Sequence, residues 1–168
     1  YNLPDALDPD SLNVSKILQK NGYQTSLIGK WHLKKEPSGF DYYKVLPGQG
    51  LYNDPYFKTK ENWKDGYQGG VREKGFSSDI IGNSSIEWLK KIDRNKPFFM
   101  MTHFKATHEP FDYPERHESL NENIVFPEPT SLYEFDSKES GRNHLGQIVE
   151  NLTERWQNDL KNEIRRYP

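Results

Sequence analysis

Two short apolar runs, each passing at once into lysine and histidine, constrain this chain more than any other feature. The first lies in "GYQTSLIGKWHL" (residues 22–33) and the second in "PFFMMTHF" (residues 97–104). Residues 23–28 read as a short strand. Residues 97–104 read as a second strand, apolar on both faces at its start, as in a buried parallel strand. Helical patterns sit around them. Asp10 or Ser11 can cap a helix running to about Lys20, with Leu12, Val14, Ile17 and Leu18 as a loose stripe and Asn21-Gly22 as its stop. Phe76-Ser77-Ser78-Asp79 opens another helix, with Ile81, Ser85, Trp88, Leu89 and Ile92 on one face and residues 93–97 ending it. A last helix is predicted over residues 143–158, with Leu145, Ile148, Val149, Leu152 and Trp156 on one side. The order helix–strand–insertion–helix–strand–helix predicts an α/β fold, a mainly parallel sheet flanked by helices.

The insertion, residues 34–75, has weak periodicity and is rich in Gly, Pro, Asn and Tyr. A loop of that length in a compact domain is functional or disordered. Its aromatic content predicts an ordered, functional loop, with "GYQGG" (residues 66–70) as a turn between short strands. The whole chain is 14% aromatic, which argues against disorder although hydrophobic residues make up only 33%. A net charge of −2 provides no global field for nucleic acid or an anionic membrane surface, so any anion site must be local. The absence of cysteine excludes a disulfide framework and a thiolate metal site within these residues. No stretch approaches the roughly 20 apolar residues of a membrane span, and no signal-peptide pattern is visible. The chain opens at Tyr1 and closes on Arg165-Arg166-Tyr167-Pro168, which reads as an internal piece of a longer protein.

Ligands of open α/β sheets sit beyond the carboxyl ends of the strands, and both strands end in Lys and His. Lys30 and His32, spaced by two, point the same way in extended chain. After the second strand comes "THFKATH" (residues 102–108), in which His103 and Lys105 share a face and His108 lies just past the end. A lysine offers a compact positive charge with three donors. A histidine donates to an oxyanion or passes a proton near neutral pH. Gly29 lets backbone approach a ligand closely. Each residue alone is better explained by strand ends meeting water than by catalysis, and Trp31 alone by core packing rather than as a substrate platform. Asp5, Asp8 and Asp10 read as a solvated turn and a helix cap rather than as metal ligands. The glycosylation sequons at Asn13, Asn83 and Asn151 fall in or near predicted helices and carry little weight.

"GYQTSLIGKWHL" resembles the second signature segment of the type I sulfatases, Gly-Tyr-x-Thr-x-x-Ile-Gly-Lys-Trp-His. "KPFFMMTHFKATHEPF" resembles their later segment, in which an apolar strand leads to Lys-Ala-Pro-His-x-Pro. Here Thr107 stands where proline usually precedes the histidine. "GFDYYKVLPGQGLYNDPYF" and "FPEPTSLYEF" are similar to the subset that includes N-acetylglucosamine-6-sulfatases, mucin-desulfating enzymes and heparan-type sulfatases. The likeness spans nearly the whole chain. It implies that residues 1–168 are an internal portion of one catalytic domain of the alkaline-phosphatase-like α/β fold. It also implies hydrolysis of sulfate esters on a sulfated carbohydrate, the 6-O-sulfate of an N-acetylglucosamine-like sugar.

In that family a Cys or Ser in Cys/Ser-x-Pro-x-Arg becomes formylglycine, whose hydrate attacks sulfur while a calcium ion holds the nucleophile and the sulfate oxygens. The resemblance makes Lys30 the lysine that contacts hydrate and sulfate. It makes His32 the histidine that assists the hydrate's proton traffic, and His108 the sulfate-contacting proton donor to the leaving alcohol. Lys105 and His103 read equally as sulfate contacts or as supporting, solvated groups. Gln49, Tyr52 and Asn53 either line the sugar site or fix the loop by packing and hydrogen bonds. The nucleophile motif, the early Asp-Asp pair, the Asp-His/Asn-Gly segment and a second lysine are all missing, so the calcium ligands and the nucleophile are expected outside this chain. The chain alone is expected to be inactive. Members acting on extracellular glycans are usually exported, to the periplasm, the cell exterior or the lysosome. The resemblance leaves the oligomeric state open. Two other functions fit the same Lys/His pocket: phosphodiester or phosphonate hydrolysis on the same fold, and non-catalytic binding of sulfated glycans by a pseudo-enzyme.

Overall fold

The computed structural model describes residues 8–127 together with Asn158 and Lys161. The chain divides into two units, Tyr1–Ala106 and Thr107–Pro168. In the first, helix α1 (Val14–Lys20) leads into strand β1 (Gln24–Trp31), β2 (Tyr42–Pro47) and β3 (Tyr56–Thr59). A 3-10 turn (Lys60–Asp65), strand β4 (Val71–Arg72), helix α2 (Ser77–Lys91) and strand β5 (Phe98–His103) follow. The strands form one sheet in the order β4-β3-β2-β1-β5. β1 runs parallel to both β2 and β5, whereas β3 and β4 add antiparallel on the far side. The sheet is therefore mixed, parallel where the candidate residues lie.

The insertion does not form a long loop. It builds β2, β3 and β4, three of the sheet's five strands. Its period-2 signal is hidden because β2 is only six residues long and β4 only two. The Gly66–Gly70 stretch does connect short strands, on the way from β3 to β4. β1 also runs three residues past the expected end at Ile28. Lys30 pairs with Leu46 and Trp31 with Pro47, so the strand continues for as long as β2 offers it a partner. β5 is parallel to β1 as expected, but it is half-buried at the sheet's margin among the described residues rather than enclosed.

α1 begins later than expected. Asn13, not Asp10 or Ser11, is the cap, its side chain accepting from the Lys16 amide at 2.9 Å. Asp8 instead takes the Asp10 amide (2.9 Å) and the Ser11 hydroxyl (3.1 Å), closing a solvated turn upstream. Leu12, Val14 and Ile17 of the expected stripe are exposed, and Ser15 is the buried residue, its hydroxyl reaching the Ser38 carbonyl at 3.1 Å. α2 follows its expected face: Ile81 and Ser85 are buried, and Trp88 packs edge-on against Phe98 at 6.0 Å. The helix predicted over 143–158 lies outside the described residues, Asn158 excepted.

Both faces of the sheet are packed. Leu27, Trp31, Phe40, Tyr43 and Val45 form one cluster, and Ile28, Leu46, Phe57 and Ile81 form the other, under α2. Each fully buried aliphatic side chain contributes about 1.5–3 kcal/mol. β1 supplies residues to both clusters and is the strand around which the sheet is organised. At its base Asp41 takes hydrogen bonds from the Thr25 amide (2.8 Å) and hydroxyl (3.1 Å) and from Gln19 (2.6 Å), tying β1 to the start of β2 and to α1. No helix among the described residues is long and apolar enough to cross a membrane.

In the second unit a cis peptide joins Glu109 to Pro110, and a 3-10 turn spans Glu115–His117.

Gly29 sets the approach of β5 to β1. Its φ is +112°, and a Cβ there would lie 1.8 Å from the backbone oxygen of His103. Its role is close approach of strand to strand rather than of backbone to ligand. Replacing it with alanine combines a disfavoured φ with a backbone clash. Gly29→Ala is expected to cost on the order of 3 kcal/mol or more, measured by urea denaturation. A loss below about 1 kcal/mol would contradict this reading of the strand pair.

Candidate functional site

The carboxyl ends of β1 and β5 lie side by side, with Gly29 in register with His103. Lys30, one residue further along β1, and His103, the last residue of β5, are thereby brought together. The His103 Nδ1 lies 3.3 Å from the Lys30 carbonyl oxygen. Beyond them opens a cleft of about 440 Å³ lined by Lys30, Trp31, His32, Leu33, His103 and Phe104. His32 follows the end of β1 and is exposed on it.

Lys30 is half-buried, and its Nζ donates to the Gln49 Oε1 at 2.8 Å. That partner is a neutral amide, and among the described residues no carboxylate pairs with this ammonium. Desolvation lowers the Lys30 pKa below its ordinary value. A partly desolvated cation held by a neutral group is suited to pairing with an anion, which would supply the countercharge that burial makes favourable. Gln49 sits on the loop after β2 and keeps the ammonium in place without neutralising it.

The other expected residues are distributed differently. Lys105 leaves the strand's face because β5 ends at His103. It is 4% exposed, with its Nζ 4.7 Å above the Tyr52 ring, and it is not among the side chains of the cleft. Tyr52 is buried, stacks on Phe76 at 5.6 Å and 18°, and accepts the Ser77 amide on its carbonyl oxygen at 2.7 Å. Asn53 is exposed and makes an isolated backbone bridge with Phe76. Tyr52 and Asn53 thus secure the entry to α2. His108 belongs to the second unit, exposed, with its Nδ1 3.0 Å from the Glu109 carbonyl oxygen.

Leu33 and Phe104 line the cleft without having been singled out in the sequence. The sequence offers one signal for Phe104, a large apolar residue between His103 and Lys105, and the structure leaves it 41% exposed at the end of β5. Trp31 is 8% exposed among Leu27, Tyr43 and Val45, its Nε1 donates to the Lys35 carbonyl at 2.7 Å, and the residue also contributes to the cleft lining.

Among the described residues no group of three His, Cys, Asp or Glu is placed to hold a metal ion. The chain also has neither cysteine nor a Ser-x-Pro-x-Arg stretch. The described residues therefore do not fit a calcium site, and the sequence holds no formylglycine precursor motif.

Comparison with known proteins bears on this geometry. The family model described as Sulfatase matches residues 2–151. An N-acetylglucosamine-6-O-sulfatase of Bacteroides thetaiotaomicron is 41% identical over 157 residues, 90% of this chain and 26% of that protein. Mouse arylsulfatase J is 26% identical over 141 residues, 73% of this chain and 23% of that protein. Among solved structures, BT4656 in complex with its substrate D-glucosamine-2-N,6-O-disulfate superposes with a TM-score of 0.69 at 40% identity, over 78% of this chain and 26% of that one. This chain thus spans about a quarter of the length of these relatives.

The stack of Tyr52 under Lys105 generates a test of its own. Tyr52→Leu removes a ring–ring and a cation–ring contact and is expected to cost about 1–3 kcal/mol in chemical denaturation. Tyr52→Phe keeps the ring and should lose less than half of that. Equal losses in the two variants would show that the hydroxyl, not the ring, carries the contact.

Proposed function

Because the chain belongs to the sulfatase family, we propose that its protein hydrolyses sulfate esters on sulfated glycans, with the Lys30 cleft as the seat of the sulfate group. The carrying observation is the half-buried Lys30 ammonium at the end of β1, held by neutral Gln49 and facing a cleft it shares with His32 and His103. A sulfate ester brings one negative charge spread over three oxygens. Lys30 offsets part of that charge, and more strongly than in water because the site is partly desolvated. His32, exposed on the same cleft, is placed to pass a proton to or from a group bound there. When the S–O bond to the sugar breaks, the departing alkoxide needs a proton, and His108 is proposed as its donor from the family resemblance of its segment alone. Lys105, buried over Tyr52, supports the strand end that carries His103. The nucleophile and the metal that family membership implies are assigned to residues other than those described here.

The sugar is read from the relatives. A 41% identical protein is an N-acetylglucosamine-6-O-sulfatase, and the superposed BT4656 holds a 6-O-sulfated glucosamine. We assign the 6-O-sulfate of an N-acetylglucosamine-like unit as substrate. Export to the periplasm, the cell exterior or the lysosome accompanies such a substrate.

Lys30→Ala and His108→Ala, made in the full-length protein, are expected to lower sulfate release from N-acetylglucosamine-6-sulfate by at least about 100-fold. Both should melt within a few degrees of the unaltered protein. Early melting of both variants would make these residues structural and remove the assignment.

A further inference from the structure

The loop that presents Gln49 to Lys30 has a second side. Gly50, the next residue, lines a separate pocket of about 130 Å³ together with Pro47, Leu51, Tyr56, Gln68 and Gly69. Consecutive Cα atoms are about 3.8 Å apart, so this pocket begins one residue from the side chain that touches Lys30. Tyr67 holds its two walls in register. The Tyr67 hydroxyl donates to the Trp31 carbonyl at 3.0 Å and accepts the Gly48 amide at 2.6 Å. The residues before Leu51 and those around Gln68 are therefore fixed to the end of β1 and to each other.

The lining has a definite chemistry. Among the described residues no charged side chain contributes to it. Leu51 is 50% and Tyr56 41% exposed, large apolar groups left open to solvent at a concavity. The Gln68 amide carries both donors and an acceptor. An aromatic and an aliphatic face beside one amide match a sugar ring, whose C–H face is apolar and whose hydroxyls both donate and accept. The lack of a cation separates this pocket from the Lys30 cleft and suits an uncharged ring.

We propose that this pocket is a second sugar subsite, taking the neutral sugar adjacent to the sulfated one in a glycan chain. The assignment rests on the glycan-sulfatase reading above and extends it from a single sulfated sugar to its neighbour. The contacts are made to the neighbouring ring and not to the reacting group, so they bear on kcat/KM for chains and leave a monosaccharide unaffected.

The test uses the full-length protein with two substrates, N-acetylglucosamine-6-sulfate free or linked through C1 to galactose. Tyr56→Ala and, independently, Gln68→Ala should lower kcat/KM for the disaccharide about tenfold and leave it unchanged for the monosaccharide. Two variants guard against one failing to fold, and an unchanged melting temperature is required of the one scored. An equal fall for both substrates, or no fall for either, overturns the subsite. If the unaltered protein hydrolyses neither substrate, the sulfatase reading has failed, and the subsite is then decided by saturation-transfer NMR with the unsulfated disaccharide. Binding that is lost in Tyr56→Ala sustains it, and absence of binding overturns it.

Discussion

The close parallel pairing of β1 with β5 at Gly29 is the contact on which the rest of the site depends. With no side chain at Gly29, the His103 backbone fills the space a Cβ would take. Two strand ends are thereby brought together, and each carries a cationic or titratable group immediately beyond. β2 completes the arrangement from the other side by extending β1 to Trp31 and by leading into the loop that bears Gln49. The geometry of the Lys30 cleft is thus a product of backbone register. Lys30 is half-buried because the strand that carries it is central, and it is poorly neutralised because its nearest partner is an amide.

A division of labour between the two faces of β1 follows. Leu27 and Trp31 anchor one face in the cluster with Phe40, Tyr43 and Val45. Ile28 anchors the other under α2. Rigid packing on both sides fixes the direction of the strand's end, and functional groups mounted on such an element hold their geometry better than groups on a free loop.

Much of this was legible in the sequence, for physical reasons that also explain the misses. α2 was readable because Ile81, Ser85 and Trp88 repeat at helical spacing over two turns. β5 was readable from its apolar run, although burial was overestimated because apolar content does not say whether a strand is central or marginal. The end of β1 was set too early because its last residues are held by β2, and β2 is too short to announce itself through alternation. The start of α1 was misplaced because Asp8, Asp10, Ser11 and Asn13 are all competent caps, and only the Asp8 turn removes two of them. Lys30, His32 and His103 line one cleft. Lys105 does not, because its expected direction assumed an extended chain past His103, where the strand stops.

The most direct test of the central claim, that the Lys30 cleft seats a sulfate ester, is a paired assay of the full-length protein. N-acetylglucosamine-6-sulfate and N-acetylglucosamine-6-phosphate would be supplied at equal concentration, and released sulfate and phosphate measured by ion chromatography. The account predicts sulfate release with little or no phosphate. Release of phosphate in preference to sulfate would contradict it, placing the same cationic cleft in a phosphate-ester hydrolase instead.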